Sequence, residues 1–143
     1  METVVLVVVY TVVIGSFIFN TWLSILNYGH RNAPIPEEVN DVYDSNKYNT
    51  WLQYNMENYR FSMILRTINV ILFVLMLSLG VFVWFNDLAV SISNNARIQI
   101  LLFLGFYFLV SFIIGIFTSY YDTFKIEEKY GFNKTTKKTF VLD

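Results

Sequence analysis

Three long apolar stretches dominate the pattern of hydrophobic and polar residues, and none contains an ionised side chain: 3–26, 68–85 and 98–121. A transmembrane helix needs about 20 mainly apolar residues. In lipid only helices and closed barrels satisfy the backbone, and these stretches lack the alternation of a barrel strand. The pattern therefore predicts an all-α integral membrane helical bundle, one domain over 1–143, with transmembrane helices at about 3–26, 67–86 and 98–121.

The segments between these stretches predict how the helices are connected. The first connection, 27–66, begins with a proline-containing part that should be extended, because a residue before proline avoids the α region. Its second part places Trp51, Tyr59 and Met63 on one helical face, which predicts an amphipathic helix at the cytoplasmic interface that continues into the second span. The short polar turn over 86–97 predicts an antiparallel hairpin of the second and third spans.

The composition agrees with a membrane protein and indicates an orientation. Charged residues make up 15% of the chain, against about 25% in ordinary soluble domains. Lys and Arg concentrate in the loop 27–66 and in the tail 122–143, so the positive-inside rule predicts that both are cytoplasmic and that the N-terminus is outside. The formal net charge is −1 and no basic stripe is visible, so we expect no nucleic-acid partner.

Few polar side chains lie in or near the predicted spans. Their small number favours a role in packing between helices over a role in transport. We expect Asn20 and Asn69 to form interhelical hydrogen bonds and Arg66 to extend towards the membrane surface. Small residues such as Gly15 and Gly115 are expected to let helices approach closely. A transporter or channel subunit is disfavoured because no ionised residue lies inside a span.

The residues that usually hold zinc are scarce. Cysteine is absent and His30 is the single histidine. A hydrolytic zinc site commonly takes about three protein ligands, often two His and a carboxylate. We therefore expect no metal ligand, no bound cofactor and no catalysis by zinc in this chain alone, and a ligand role for His30 is disfavoured.

A polar stretch in the tail, IEEKYGFNKTT at 126–136, predicts that one helix ends and another begins. Gly131 follows a charged helical stretch and suits the left-handed residue that ends a helix, with Phe132 packing back on the last turn. Asn133 or Thr135 is then expected to cap a further helix that begins within TKKTFVLD.

Two adjacent carboxylates, Glu127 and Glu128, lie in this stretch between Lys125 and Lys129. Paired carboxylates can serve acid–base chemistry or bind a metal, but neighbours on a helix point about 100° apart. Ion pairing with the lysines, or a structural role at the helix end, is the favoured interpretation.

The stretch YYDTFKIEEKYGFNKTT, residues 120–136, resembles the signature of the N-terminal membrane region of the CAAX prenyl proteases. The segments YNTWLQYNMENYRFSMI and PIPEEV resemble the first loop of the same family more loosely. The resemblance implies an integral-membrane zinc metalloendopeptidase whose helices enclose a large chamber. Its zinc would be held by an H-E-x-x-H helix and a distal Glu, which this sequence does not contain. The residues that carry the specific part of the resemblance are Glu127, Glu128, Lys129, Gly131, Phe132, Asn133, Lys134 and Thr135.

The resemblance implies a structural role for the chain within such an enzyme. Its helices would form part of the chamber wall, and its partners would be the lipid bilayer, the remaining transmembrane and catalytic parts, and a prenylated or membrane-associated protein substrate. Alone, the chain should be inactive. The segment GFNKTTKKTFVLD favours a bacterial plasma membrane over the endoplasmic reticulum. The alternative is a free-standing small membrane protein that acts as an interaction or assembly module.

Overall fold

The computed structural model describes residues 2–29 and 45–142, and it is helical throughout apart from short turns. Within these residues no strand occurs, so the prediction of an all-α fold is confirmed. Three helical stretches are long and apolar enough to cross a membrane: Thr3–Gly29, Asn46–Ser78 and Ala96–Glu127. The elements are α1 (Glu2–Gly29), α2 (Ser45–Ser78), α3 (Val81–Ile92), α4 (Ala96–Tyr121), a π-helical segment (Asp122–Glu127) and α5 (Lys137–Leu142).

The chain divides into two compact units, and the first of them, 1–71, contains α1 and most of α2. The two helices meet where the rings of Tyr28 and Tyr59 stack with centroids 3.8 Å apart. The polar part of α2 continues into its apolar part without a break, as the sequence predicted. The position of this polar part at the membrane interface stays a prediction.

The side chains of Arg66 and Asn20 in this unit have partners within the two helices, and one expectation about them is wrong. Arg66 donates to the carbonyl oxygen of Asn20 and to the hydroxyl of Ser24 on α1, and its extension towards the membrane surface stays a prediction. The Asn20 side chain does not reach another helix, because its amide donates to the carbonyl of Ser16 one turn earlier. The contact between α1 and α2 therefore uses the backbone of Asn20 rather than its side chain.

The expected second span, 67–86, is not one helix. It breaks after α2 at Leu79 and Gly80, where Gly80 adopts a left-handed conformation with φ 71°. Only glycine adopts this conformation at little cost. The next helix begins here, with a hydrogen bond of 3.0 Å from the N–H of Trp84 to the carbonyl oxygen of Gly80. The new helix, α3, continues to Ile92, so the predicted polar turn over 86–97 shrinks to the residues between α3 and α4.

In the second unit, 72–143, α3 and α4 pack as an antiparallel hairpin. Phe82 and Phe85 of α3 contact Phe103 of α4, with ring centroids 6.3 Å and 6.4 Å apart. Asn95 caps α4 by accepting the backbone N–H of Arg97 at 3.0 Å. The predicted hairpin is confirmed, but α3 rather than a full second span forms its first arm.

Most apolar side chains whose burial is described remain exposed; the buried ones are Phe85, Ala89 and Ile126. A methyl group added at Gly15 or Gly115 would meet no atom within 4 Å. The expectation that these glycines bring helices together is therefore wrong within the described residues. Apolar surface on this scale requires lipid or further protein to cover it.

Candidate functional site at the end of the third apolar helix

The third apolar helix changes its winding where it becomes polar. α4 passes directly into the π-helical segment, Asp122–Glu127, in which Ile126 is 1% exposed. π-Helical turns are rare and occur frequently at functional sites. No local sequence signal predicts this segment, because its six residues are equally compatible with an ordinary α-helix.

The helix then ends at Gly131, as predicted. Gly131 has φ +75°. The N–H of Phe132 donates to the carbonyl of Glu127 at 2.9 Å, and the N–H of Gly131 donates to the carbonyl of Glu128 at 3.2 Å. This pair of hydrogen bonds is the Schellman motif, which satisfies carbonyls that the end of a helix would otherwise leave unpaired.

The next helix begins at a different residue from the two that were predicted. Asn133 accepts the N–H of Thr135 through its side chain at 2.6 Å, which closes a local turn. The cap of α5 is Thr136, whose hydroxyl accepts the N–H of Thr139 at 3.2 Å. Asn133 and Thr135 therefore shape the connection, and the expectation that one of them caps the helix is wrong.

An aromatic cluster of Tyr120, Phe124 and Phe140 fixes the position of α5. The ring of Phe140 lies 5.8 Å from that of Tyr120 and 5.4 Å from that of Phe124, in both cases edge to face. Edge-to-face geometry is favourable for aromatic pairs. The stretch 126–136 thus folds a short helix back onto the segment that leaves the apolar helix.

The two adjacent carboxylates of this region, Glu127 and Glu128, are not paired with the neighbouring lysines in the part of the chain that the structure describes. Glu127 is half-buried and Glu128 exposed, and within the described residues neither carboxylate forms an ion pair or a side-chain hydrogen bond. The expected pairing with Lys125 or Lys129 is therefore not seen, whereas the helix-end role is fulfilled by their backbone carbonyls. Lys129 instead places its ammonium 5.1 Å from the centroid of the Tyr130 ring.

Asp122 is a further polar residue of this region that sequence reasoning missed. One of its carboxylate oxygens is shielded from solvent and has no hydrogen-bond partner among the described residues. α4 continues into the π-helical segment without a break, and the N–H of Asp122 itself bonds to carbonyls of the preceding turn. The carboxylate marks the step from apolar to polar surface.

The described residues bring together no group of three or more His, Asp and Glu side chains that would hold a metal ion. His30, Glu37 and Glu38 lie outside the described part of the chain. The site is therefore a structural junction built from a π-helical segment, a helix stop, a local turn and a short returning helix.

This junction lies within the region matched by a known family. A family model described as the CAAX prenyl protease N-terminal region, with five membrane helices, matches residues 24–143. The chain belongs to this family. The match includes all of the residues from Glu127 to Thr135 on which the sequence resemblance depends, so that resemblance is confirmed.

Three curated relatives agree with the family assignment. Probable CAAX prenyl protease 1 of Schizosaccharomyces pombe is 32% identical over 79% of this chain and 26% of its own length. The CAAX prenyl protease 1 homolog of Oryza sativa subsp. japonica is 29% identical over 89% of this chain and 32% of its own length. CAAX prenyl protease 1 of Saccharomyces cerevisiae is 26% identical over 91% of this chain and 31% of its own length.

The chain thus spans between 26% and 32% of the length of these relatives. The apolar helices and the family match make it an integral membrane protein domain. All three relatives are eukaryotic, so they give no support to the expectation of a bacterial plasma membrane.

Proposed function

We propose that this chain is the N-terminal membrane domain of a CAAX prenyl protease-like zinc metalloendopeptidase and forms part of the wall of its membrane chamber. The match over residues 24–143 carries this proposal. The segment that these relatives share with this chain makes up between 26% and 32% of their length. On this proposal the zinc ligands lie in the part of such an enzyme that the match does not cover, and its substrate is a prenylated or membrane-associated protein.

The exposed apolar faces support a role within a larger helical assembly. On α4, Leu101 is 69% exposed and Phe117 is 72% exposed. Polar atoms in hydrocarbon require partners, but apolar side chains are equally compatible with lipid on one face and with further helices on another. A chamber wall needs both kinds of contact.

The polar junction is proposed to dock the later parts of the enzyme. Glu127 and Glu128 have no partner among the described residues, although their backbones are held firmly by the Schellman motif. Two carboxylates that lack a partner and lie on a hydrogen-bonded backbone form a suitable contact surface for a partner segment of opposite charge. The double variant Glu127→Lys/Glu128→Lys should therefore lower activity in an intact enzyme.

A chimaera tests both parts of the proposal. Residues 1–143 replace the matching segment of the Schizosaccharomyces pombe relative, and hydrolysis of a farnesylated CAAX peptide is measured. We expect a hydrolysing chimaera whose activity falls at least fivefold on reversal of Glu127 and Glu128, as expected for the loss of about 1 kcal/mol of contact energy. Asp87→Lys, an acidic reversal on α3 outside the junction, is the control and should leave activity unchanged.

A well-expressed chimaera without activity, or equal activity in all variants, would contradict the proposal. The reading frame offers an independent check, because we expect it to continue past Asp143 into an H-E-x-x-H helix. A stop codon there would favour the alternative, a free-standing membrane protein that acts as an interaction or assembly module.

The orientation belongs to the same proposal. With the N-terminus outside and the junction in the cytoplasm, the Asn-Lys-Thr sequon at Asn133 stays unglycosylated when the chain is inserted into microsomes. The chain contains no cysteine, so a single Lys138→Cys substitution reports the side of the tail through a membrane-impermeant maleimide. Labelling of the introduced cysteine from outside sealed cells, or glycosylation of Asn133, would show that the tail lies outside and would contradict the proposed orientation. The same chain expressed in bacterial and yeast cells would show which membrane retains it.

A further inference from the structure

One cation, Arg66, links α1 and α2 in the first unit through side-chain hydrogen bonds. One guanidinium nitrogen of Arg66, Nη1, donates to the carbonyl oxygen of Asn20 at 3.0 Å and to the hydroxyl of Ser24 at 2.7 Å. Both acceptors are neutral. Within the described residues Arg66 makes no ion pair, so its positive charge is not compensated by a carboxylate.

The remaining donors of Arg66 are free to bind a further group. A guanidinium carries five N–H donors in a rigid fork, and Nη1 contributes two of them. The N–H groups on Nη2 and Nε therefore have no acceptor among the described residues. This fork matches the oxygens of a phosphate or carboxylate, which accept from it in pairs.

Arg66 contacts α1 near one end of its apolar stretch. Asn20 and Ser24 lie near the end of the stretch 3–26, and at 1.5 Å per residue Asn20 is about 9 Å from its last residue. The anionic groups next to the end of a membrane-spanning helix are those of phospholipid headgroups, and a long Arg side chain can reach towards them. A cation at a membrane-spanning segment normally faces a partner, the interior of the bundle or a cavity.

Arg66 does face a cavity. A groove of about 460 Å³ between α1 and α2 is lined by Arg66, by the polar residues Ser16 and Asn20 and by the apolar residues Val12, Val13, Phe17 and Val70. Val12 is 59% exposed, so the groove opens to the outside of the unit. The groove therefore combines one positive charge with a mainly apolar lining, which suits a lipid with an anionic headgroup and apolar acyl chains.

We propose that this groove binds an anionic phospholipid, with the phosphate on the free N–H groups of Arg66 and an acyl chain along Val12, Phe17 and Val70. The lipid would supply the negative charge that the described residues do not place beside Arg66. It would also fill a gap between two helices that otherwise meet through few contacts. This inference is independent of the proposed protease function, since it requires only the geometry of α1 and α2.

Native mass spectrometry of the purified chain in detergent tests the proposal. The probes are phosphatidylglycerol, phosphatidylcholine with the same acyl chains, and inorganic phosphate. We expect phosphatidylglycerol to bind roughly fivefold more tightly than phosphatidylcholine, since one Arg at a membrane surface favours anionic lipid by about that factor. Binding of inorganic phosphate at the same concentration should be undetectable, because it lacks the acyl chain.

Matched variants assign the binding to the groove. Arg66→Gln should remove the preference for phosphatidylglycerol, whereas Arg60→Gln, an equal loss of charge at an exposed position of the same helix, should keep it. Val70→Trp fills the groove but leaves Arg66 in place, and it should weaken the binding of both lipids. Its control, Ile71→Trp at a neighbouring position that is 52% exposed, should not.

Circular dichroism establishes that each variant retains its helix content. Equal phosphatidylglycerol binding by Arg66→Gln and Arg60→Gln, or by Val70→Trp and Ile71→Trp, would overturn the proposal. Binding of inorganic phosphate as tight as that of phosphatidylglycerol would also overturn it, by assigning the cation to a free anion. Should Arg66→Gln lose helix content, Arg66→Lys retains the charge and is expected to retain part of the preference.

Discussion

Replacement of Gly131 by alanine should loosen the junction by a predictable amount. Gly131 has φ +75°, a conformation that costs an L-residue about 1–2 kcal/mol. A methyl group there would meet no atom within 4 Å, so the cost is conformational and includes no clash. Alanine also restricts the unfolded chain, which recovers about 0.4–1 kcal/mol. The net loss is therefore about 1 kcal/mol.

Amide hydrogen exchange measures this loss at the site itself. The N–H of Phe132 donates to the carbonyl of Glu127 at 2.9 Å, and it exchanges when the Schellman motif opens. A loss of about 1 kcal/mol should speed its exchange roughly fivefold in Gly131→Ala. Gly131→Asn should show a smaller effect, because asparagine tolerates the left-handed conformation better.

Gly115→Ala is the matched control. Gly115 lies inside α4, has no positive φ and has open space around it, so alanine should stabilise the helix by about 0.5–1 kcal/mol. Exchange of the Phe132 amide should then be unchanged. The reasoning is refuted if Gly131→Ala leaves that amide as protected as in the parent chain, or if Gly115→Ala accelerates it equally.

Two further substitutions test the returning helix. Thr136→Val removes the cap of α5 and should speed exchange of the Thr139 amide roughly fivefold, for a cap worth about 1 kcal/mol. Thr135→Val should leave this exchange unchanged. Equal effects of the two variants would contradict the assignment of Thr136 as the cap. Phe140→Ala removes two ring contacts of the aromatic cluster, each worth about 0.5–1.5 kcal/mol, so all α5 amides should lose protection. Val141→Ala, at a position that is 81% exposed, should leave them unchanged, and a loss as large as that of Phe140→Ala would show that the cluster does not hold α5.

The helix stop at Gly131 was predictable because its causes are local. A left-handed glycine after a charged helical end is determined by a few adjacent residues, and the hydrogen bonds of Phe132 and Gly131 follow from it. The helices over the first and third apolar stretches were predictable for the same reason, since the thickness of the bilayer and the need to pair every backbone group act on each stretch separately.

Features that depend on competition between equivalent choices were not predictable. Gly80 lies in an apolar run whose composition is compatible with a continuous helix as well as with a helix break. In the structure the helix breaks at Gly80. Thr136 was passed over as the cap of α5 because Asn133 and Thr135 are equally good caps by residue type, and the position of Phe140 against Phe124 selects the start. The partners of Arg66 depend on how α1 and α2 cross, which no sequence pattern records.

The account rests on lipid as the solvent of the exposed apolar helices, and spin labelling of the chain in bilayer nanodiscs tests this most directly. The chain has no cysteine of its own, so single labels report single positions. Phe108 and Phe112 of α4 are 62% and 53% exposed. Spin labels at these two positions should be accessible to oxygen dissolved in the bilayer and shielded from a water-soluble nickel complex. A label at Lys134 should show the opposite accessibilities. Nickel accessibility at Phe108 equal to that at Lys134 would place the helix in water and contradict the account.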